Sequence, residues 1–252
     1  MSRRPPAEVR RKLRQEANFG CVECGCPVIE YHHIDFYADE EHHDPDRMVV
    51  LCPNHHAHAG PNSEALTPDQ LYESKKNPAN GDVVDSPFHF ESEIPLLQVS
   101  SNKCWLRENE SIDVLNVKDE TLVEMSFIDG LLQFDTKLYS QQGELVAEVD
   151  HNEWSAKTDG VWDIQYQPNR IKIWHEPRDI GLEIEYDSET DLIQMRGNFY
   201  YEDVFVRMTP EKINVKSDEG VQQLMVKNST VIDRESFLEV SKENDNYRVA
   251  LG

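Results

Sequence analysis

The sequence predicts an α+β protein in which a small N-terminal domain of helices and short strands precedes a larger all-β domain. Three observations lead to this division. Apolar residues recur at helical spacing near the N-terminus, cysteines and histidines cluster in the first 60 residues, and apolar and polar residues alternate from about residue 94. The inferred boundaries are residues 1–78 for the first domain, 79–92 for a linker and 93–252 for the second.

The N-terminal domain is predicted to begin with a helix over residues 5–18. Two prolines at its start suit the first turn, where no intrahelical hydrogen bond is lost, and Gly20 suits the end. Val9, Leu13 and Ala17 recur every four residues, which indicates one apolar stripe facing a core. The basic side chains of this segment lie on the other faces.

Two short strands and two further helices complete this domain. Residues 27–34 and 47–52 have the composition of strands and are separated by a charged loop. A short helix is predicted to begin near Pro53. Another spans residues 68–76, where Thr67 and the glutamine three residues later form a capping box.

The second domain is predicted to be an antiparallel sandwich, barrel or roll, and the sequence does not choose among the three. Apolar and polar residues alternate in segments such as LVEMSFI and DLIQMRGNFYYEDVFV, with turns such as Asp129-Gly130 between segments. About nine or ten strands fit this spacing. Residues 208–252 alternate weakly, which predicts edge strands and a weakly structured C-terminal tail.

The composition favours a soluble, cytoplasmic protein without a membrane partner. No apolar run approaches the ~18 residues that a membrane span needs, and the first residues, MSRRPP, do not resemble a secretory signal. The five cysteines are an odd number and four of them lie close to many histidines, which favours metal binding over disulfides. Cys104 stands apart and is predicted to be a small buried apolar residue.

The distribution of charge restricts where a polyanion could bind. The formal charge is −23, and most acidic residues lie beyond residue 80, so the β domain offers no basic face. Within residues 1–20, basic residues outnumber acidic ones. Contacts with DNA phosphates are therefore predicted at Arg10, Arg11 and Arg14 on the first helix, with Arg47 as a further candidate.

Two closely spaced ligand pairs predict a structural zinc site. Cys21-x-x-Cys24 is followed about 30 residues later by Cys52-x-x-His55, and each pair has the spacing of a knuckle turn. Tetrahedral Zn²⁺ would fasten a domain that is too small to bury much core. Cys26 could replace Cys24, although its spacing is less usual. The alternative interpretation is a set of reduced thiols in a small core.

The order of these motifs resembles a known family. A helix is followed by C-x-x-C, YHHID, a charged loop, a strand, LCPNHH and a further helix. This order resembles the HNH endonucleases of the ββα-metal fold, in the subgroup with a structural zinc, over residues 5–78. The resemblance implies a metal-dependent endonuclease that nicks or cleaves duplex DNA, with restriction or phage defence among the contexts. It does not extend to the β domain.

The resemblance also implies roles for three histidines. His33 corresponds to the general base, which family members orient through a backbone carbonyl of the intervening loop. His32 and His56 correspond to ligands of a catalytic Mg²⁺ or Mn²⁺, although imidazole ligands also accept Ni²⁺ or Zn²⁺. The implied products are a 5′-phosphate and a 3′-hydroxyl.

One position departs from the family. Arg47 stands where the family has an asparagine that tightens the loop and helps to hold the base, and a guanidinium cannot both donate and accept. Asp46 could take over this role by accepting from loop N–H groups. The departure favours an alternative function, a non-catalytic, zinc-stabilised nucleic-acid-binding module whose β domain recruits a partner or senses a ligand.

The remaining histidines of the N-terminal domain receive weaker interpretations. His58 is interpreted as solvated or as a neighbour of the metal ligands. His42 and His43 are interpreted as part of a solvated charged loop, with adventitious metal binding as the alternative. Asp35 follows the adjacent histidines closely enough to support a metal ligand.

The role of the β domain is left open between assembly, sensing of a ligand and docking of a partner. A homo-oligomer would let an enzyme that cuts one strand make paired cuts. Trp154 and Trp162 lie near polar residues and would suit a binding surface, but packing in the core is the favoured interpretation.

Overall fold

The chain divides into two compact units. The first comprises Met1–Ser86 together with Ala156–Gln167, and the second comprises Pro87–Ser155 and Pro168–Gly252. The segment Ala156–Gln167, which the sequence analysis assigned to the β domain, therefore belongs to the same unit as the cysteines. The structure, a computed structural model, describes residues 4–35, 42–60, 66–88, 96–217, 230–231, 236–243 and 246–251.

Strands dominate the described part of the chain, which confirms a mostly-β protein. The helices are α1 (Ala7–Glu16), α2 (Pro53–His58) and α3 (Pro68–Lys76), with one 3-10 turn at Pro45–Arg47. The strands are, in chain order, β1 (Glu30–His33), β2 (Met48–Leu51), β3 (Val83–Pro87), β4 (Leu96–Val99), β5 (Asn102–Trp105), β6 (Glu110–Val117), β7 (Glu120–Ile128), β8 (Leu131–Tyr139), β9 (Leu145–Asp150), β10 (Glu153–Lys157), β11 (Asp163–Gln167), β12 (Arg170–Glu176), β13 (Asp179–Asp187), β14 (Leu192–Tyr201), β15 (Val204–Met208), β16 (Ile213–Ser217), β17 (Thr230–Val231), β18 (Leu238–Glu243) and β19 (Asn246–Leu251).

The helices of the first unit begin where the local sequence signals predict. The carbonyl of Pro6 accepts from the backbone N–H of Arg10 (3.0 Å), which closes the first turn of α1. The capping box of α3 is confirmed: Thr67 Oγ1 accepts from the Gln70 N–H (3.4 Å), and Gln70 Oε1 accepts from the Thr67 N–H (2.9 Å). Local hydrogen bonds therefore set both helix starts.

A two-stranded hairpin carries the adjacent histidines His32 and His33. β1 and β2 pair antiparallel, with His32 opposite Val49 and His33 opposite Met48. β2 is buried along its whole length, so the hairpin is fixed to the core beneath it. That core comprises Leu13, Ala17, Cys21, Val22, Ile34, Met48, Val49, Val50, Leu51, Cys52 and Leu71.

The second unit is built around two antiparallel meanders. β6 to β9 pair in sequence order, and β12 to β16 do the same. The described part of this unit has more strands than the nine or ten expected, because long alternating segments contain tight turns. One such turn lies between β14 and β15, where Glu202 has a φ of 51°.

Parallel pairings join strands that are distant in sequence, and they correct the expectation of a purely antiparallel domain. β4 pairs parallel with β14, β5 with β17, and β6 with β18. The first half of β14 pairs with β13 and the second half pairs with β15. Gly197 lies where these two pairings meet. A Cβ at Gly197 would lie 2.2 Å from the carbonyl oxygen of Gly181, so the close approach requires glycine.

The burial of Cys104 and Trp154 tests two further predictions. Cys104 is 2 % exposed, which confirms a buried apolar residue, and Trp154 is fully buried, so it packs in the core of the second unit. Of the predicted tail, residues 208–217, 230–231, 236–243 and 246–251 are described and include β16 to β19, and the remainder falls outside the described ranges. No helix in the described part of the chain combines the length and apolar composition needed to cross a bilayer.

Candidate functional site

Four predicted ligands converge in the first unit. Their ligand atoms, from Cys21, Cys24, Cys52 and His55, all lie within 4.8 Å of one another. Nδ1 of His55 is 3.3 Å from Cys21 Sγ and 3.4 Å from Cys52 Sγ, and the Cys24 and Cys52 sulfurs are 3.8 Å apart. Sulfurs bound to one tetrahedral Zn²⁺ at about 2.3 Å are separated by about 3.8 Å. The group can therefore hold a metal ion such as zinc.

A tight turn presents the first two cysteines. The N–H of Gly25 donates to the carbonyl of Cys21 (2.8 Å), and Gly25 adopts a φ of +76°, which favours glycine. Asn80 fixes this turn, because its Nδ2 donates to the carbonyls of Gly25 (3.1 Å) and Asn18 (3.0 Å). Cys26 Sγ lies 3.9 Å from the carbonyl oxygen of Val28 and is outside the ligand group, as expected.

The second ligand pair forms the start of α2. Cys52 is the N-cap residue, and its sulfur accepts from the backbone N–H of His55 (3.5 Å). Burial opposes ionisation of Cys52, but the His55 N–H and neighbouring donors lower its pKa below the ordinary value. Burial raises the pKa of the Cys21 thiol to about 12, so ligation by Cys21 requires loss of that proton.

His32 and His56 lie side by side next to this metal site. Their ring centroids are 5.0 Å apart, and the rings are nearly perpendicular at 80°. Burial, followed by the nearby His56 and His33, lowers the pKa of His32 to about 4. The ring is therefore neutral at neutral pH, which is the state that binds metal.

Glu30 contacts one of the predicted site residues, and the sequence analysis did not single it out. Its Oε2 lies 2.7 Å from Nδ1 of His56. Glu30 and His32 are two residues apart on β1, so they share one face of the strand, and period-two alternation could have identified the carboxylate. Nδ1 of His56 carries the hydrogen and donates it to the carboxylate, which leaves Nε2 as the nitrogen with a lone pair.

His33 is held by the loop between β1 and β2. Its Nε2 lies 3.0 Å from the carbonyl oxygen of His42, which matches the backbone contact that the family resemblance implies. A carbonyl only accepts, so Nε2 carries the proton and the lone pair of the neutral ring is on Nδ1. The solvated interpretation of His42 is wrong. His42 is 9 % exposed, and its Nδ1 accepts from the N–H of Asp44 (3.3 Å).

Arg47 supports the same loop through an ion pair. Arg47 Nε donates to Asp35 Oδ2 (2.6 Å), and the Tyr72 hydroxyl donates to Asp35 Oδ1 (3.1 Å). The hydrogen bond from Arg47 lowers the pKa of Asp35 below its ordinary value. Arg47, which was predicted to contact phosphate, is thus engaged by a carboxylate, and Asp35 bridges β1 to α3.

The loop-tightening role expected of Asp46 falls on Asp44. Asp44 Oδ1 accepts from the backbone N–H of Asp46 (3.0 Å) and caps the 3-10 turn. The Asp46 carboxylate instead lies 3.3 Å from Lys12 Nζ on α1. Lys75 Nζ donates to the carbonyls of Pro45 (2.8 Å) and Met48 (2.9 Å), which fixes both ends of this turn from α3.

The predicted phosphate contacts on α1 are corrected in part. Arg14 is 4 % exposed and forms a two-point ion pair with Asp163, at 2.9 Å and 2.6 Å, so its guanidinium is not available to DNA. Arg11 lies over the ring of Trp162, 4.2 Å from the centroid. Arg10 is partly buried, and its Nε has no hydrogen-bond partner.

The other candidate histidines of the first unit lie outside the ligand group. His58 is exposed at the end of α2, away from the four residues whose ligand atoms converge. The ring of His43 lies 5.7 Å from that of His33. Neither residue is a member of a described cluster of three or more ligands.

Comparison of the chain with protein-family models, curated proteins and solved structures finds no match. The functional argument therefore depends on the geometry of the first unit. Two features carry it, the convergent group of three cysteines and one histidine, and the adjacent pair of His32 and His56.

Proposed function

We propose that residues 5–78 form the ββα-metal element of an HNH-type endonuclease, which hydrolyses DNA phosphodiester bonds with the help of a divalent ion. The observation that carries this proposal is the position of His32 beside His56, with His33 next to them and oriented by a loop carbonyl. The hairpin β1–β2 followed by α2 supplies the elements that this fold requires.

His33 is the proposed general base. The hydrogen on its Nε2 is directed at the His42 carbonyl, which leaves Nδ1 as the nitrogen that accepts a proton from the attacking water. The neutral form of an imidazole can accept that proton. A positioned base typically contributes about 10²–10⁴-fold to the rate.

His32 and His56 are the proposed ligands of the catalytic ion, Mg²⁺ or Mn²⁺. Burial keeps His32 neutral, and Glu30 fixes the tautomer of His56 so that Nε2 can bind metal. A bound divalent ion would stabilise the negative charge that develops on the phosphate and on the leaving 3′-oxygen. Two imidazole ligands by themselves favour ions such as Ni²⁺ or Zn²⁺, so Mg²⁺ or Mn²⁺ would take its remaining ligands from water and phosphate oxygens.

Zinc at Cys21, Cys24, Cys52 and His55 is proposed to be structural. All four protein ligands are supplied, so a tetrahedral site is closed and has no position for water. His56 follows the last ligand directly along α2. Zinc would therefore fix the orientation of α2, and with it the position of a ligand of the catalytic ion.

Duplex DNA is the proposed substrate, and the phosphate contacts are proposed at Arg10 and Arg11. Arg10 is partly exposed, and Arg11 is held over Trp162 by its planar face. A guanidinium that stacks on an indole can still donate from its edge to a phosphate oxygen. Arg14 and Arg47 are omitted because carboxylates already engage them.

The ion pair of Arg47 also weakens the case for a non-catalytic DNA-binding module. That alternative depended on the loss of the loop-tightening asparagine at position 47. Asp44 closes the turn and Arg47 ties it to Asp35, so the loop that orients His33 has support of its own. This support favours the enzyme.

Nicking of supercoiled plasmid tests the proposal. The full chain is incubated with Mg²⁺, Mn²⁺ or EDTA, and His33→Ala is compared with His58→Ala, which removes an exposed histidine from the same unit. We expect metal-dependent nicking that His33→Ala lowers at least ~100-fold and His58→Ala leaves unchanged. Equal loss in both variants, or retained DNA binding without cleavage by any ion, would contradict the enzyme.

A further inference from the structure

A polar cavity of about 230 Å³ lies against one face of a sheet in the second unit. The sheet is formed by β12, β13, β14 and β4, and the strand register places their polar side chains in rows on this face. In one row Lys172 is opposite Glu183, which in turn is opposite Arg196. In the next row Arg170 is opposite Glu185.

Positive charge is concentrated around one buried carboxylate at this cavity. Glu183 is 4 % exposed and pairs with Arg170, with Arg196 (2.6 Å) and with Lys172 (3.1 Å). Burial alone would raise the pKa of Glu183, but these three cations lower it below its ordinary value. Arg170 and Arg196 line the cavity together with Glu183 and Glu185, and Lys172, which does not line it, adds a third cation beside Glu183.

Two hydrogen-bond donors at the cavity have no acceptor. Ser100 is 3 % exposed, lines the cavity, and its hydroxyl has no partner within the protein. Arg170 Nε is also buried without a hydrogen bond, since Glu185 Oε2 is 3.6 Å away. A buried donor without a partner has lost its hydrogen bond to water and gained none in return, so both groups indicate a missing acceptor.

The segment that carries Ser100 is held in an unusual backbone conformation. Ser100 has a φ of 58°, in the left-handed region that residues other than glycine rarely adopt. Gln98 on β4 fixes this conformation, because its Nε2 donates to the carbonyl of Ser100 (3.0 Å). The hydroxyl is therefore held at the cavity by the backbone rather than by a hydrogen-bond partner.

We propose that this cavity binds a small oxyanion, the phosphate or carboxylate group of a small ligand. Such a group offers only acceptors, which matches the unpartnered donors of Ser100 and Arg170 and the cations around Glu183. A volume of 230 Å³ equals that of roughly eight water molecules, enough for the oxyanion and a short organic part but not for a nucleic-acid strand. The site is independent of the proposed nuclease chemistry.

Calorimetric titration of the full chain with inorganic phosphate, and separately with succinate, tests the site at constant ionic strength. We expect saturable binding of about one ligand per chain by at least one of the two probes. Binding of phosphate alone identifies a phosphate ligand, and binding of succinate alone identifies a carboxylate. The absence of saturable binding with both probes overturns the proposal.

Two substitutions connect the binding to this cavity. Ser100→Ala removes the unpartnered hydroxyl, and Arg170→Lys keeps the charge beside Glu183 while removing the guanidinium. Each is expected to raise the dissociation constant about tenfold or more, whereas Lys216→Gln, at an exposed site on β16, leaves it unchanged. Ser100→Ala should melt no lower than wild type without ligand, which verifies folding. Wild-type affinity in both variants would show that the anion binds elsewhere.

Discussion

Glu30 Oε2 lies 2.7 Å from Nδ1 of His56, and this contact joins the exposed end of β1 to α2. A carboxylate in this position fixes both the tautomer and the orientation of a metal-binding imidazole. The same face of β1 carries His32, whose ring centroid is 5.0 Å from that of His56. One strand face thus supplies both a proposed ligand and the residue that orients the other.

Replacement of Glu30 should weaken the proposed catalytic metal site. We expect Glu30→Ala to raise the Mn²⁺ concentration for half-maximal plasmid nicking about 10–100-fold, and Glu30→Gln to have a smaller effect because its amide oxygen still accepts from His56. Nicking rates across a Mn²⁺ titration measure this. A drop in maximal rate without any shift in metal dependence would argue against the positioning role.

Loss of one cysteine ligand should remove zinc, whereas loss of its neighbour should not. Cys24→Ser takes away a member of the ligand group, while Cys26→Ser alters a thiol outside it. We expect about one zinc per chain in the wild type and in Cys26→Ser, and much less in Cys24→Ser. Metal analysis of the purified proteins gives the stoichiometry, and equal zinc in all three would contradict the assignment.

Zinc removal should also loosen the first unit without unfolding the second. The ligands Cys21 and Cys52 belong to the core of the first unit, whereas the second unit has its own buried residues. A chelator is expected to abolish hydrogen-exchange protection in α1 and β2 while the strands of the β12–β16 meander stay protected. Protection that stays the same in both units would show that metal does not stabilise the fold.

Arg14 and Asp163 form a buried ion pair, and the first unit should be stable only when both charges are present or both are removed. Removing one partner leaves a buried charge without compensation, so Arg14→Met is expected to destabilise the first unit by about 3–5 kcal/mol. The double variant Arg14→Met/Asp163→Leu should recover much of this loss. Hydrogen exchange of α1 amides reports the local stability, and a double variant as unstable as the single one would refute the pairing argument.

His175 should make the second unit sensitive to acid. Burial lowers the pKa of His175 below 6.5, against the opposing effects of the Asn198 carbonyl, Asp179 and Glu176. The unfolded chain then binds the proton more tightly, so stability is full above pH 6.5 and falls as the pH drops towards the lower folded-state pKa. The slope contributed by one such group is at most about 1.4 kcal/mol per pH unit.

Substitution of His175 isolates this contribution. His175→Gln keeps a donor for the Asn198 carbonyl, which lies 3.1 Å from Nε2, and it should flatten the decline in unfolding free energy between pH 7 and pH 5. His151→Gln is the control, because the exposed His151 has a raised pKa through Asp150 and so acts with the opposite sign. A decline unchanged by His175→Gln would exclude His175 as its source.

Local features of the first unit could be predicted from the sequence. The capping box at Thr67, the start of α1 and the ligand pairs at Cys21 and Cys52 depend on residues within a few positions of one another. Hydrogen bonds and metal ligands at such spacing are determined by the backbone geometry of one turn. The grouping of the zinc ligands was therefore found without knowledge of the fold.

Partners distant in sequence could not be predicted in the same way. Arg14 and Asp163 are separated by 149 positions, and nothing in the pattern around Arg14 distinguishes a buried ion pair from a cation exposed to DNA. Similarly, periodicity identifies strands such as β4 and β14 but does not reveal that they pair in parallel. The sequence also could not show that the Asp44 carboxylate, and not that of Asp46, accepts from a backbone N–H of the loop.

The sequence alone determined the helices, the alternating strands and the four residues that can hold a metal ion, because each follows from spacing along the chain. Only the tertiary structure decided which cations remain available, which carboxylate orients His56, and which strands lie side by side. These depend on which side chains the fold brings within a few ångströms of one another. Burial then determines whether a charge meets a partner or water.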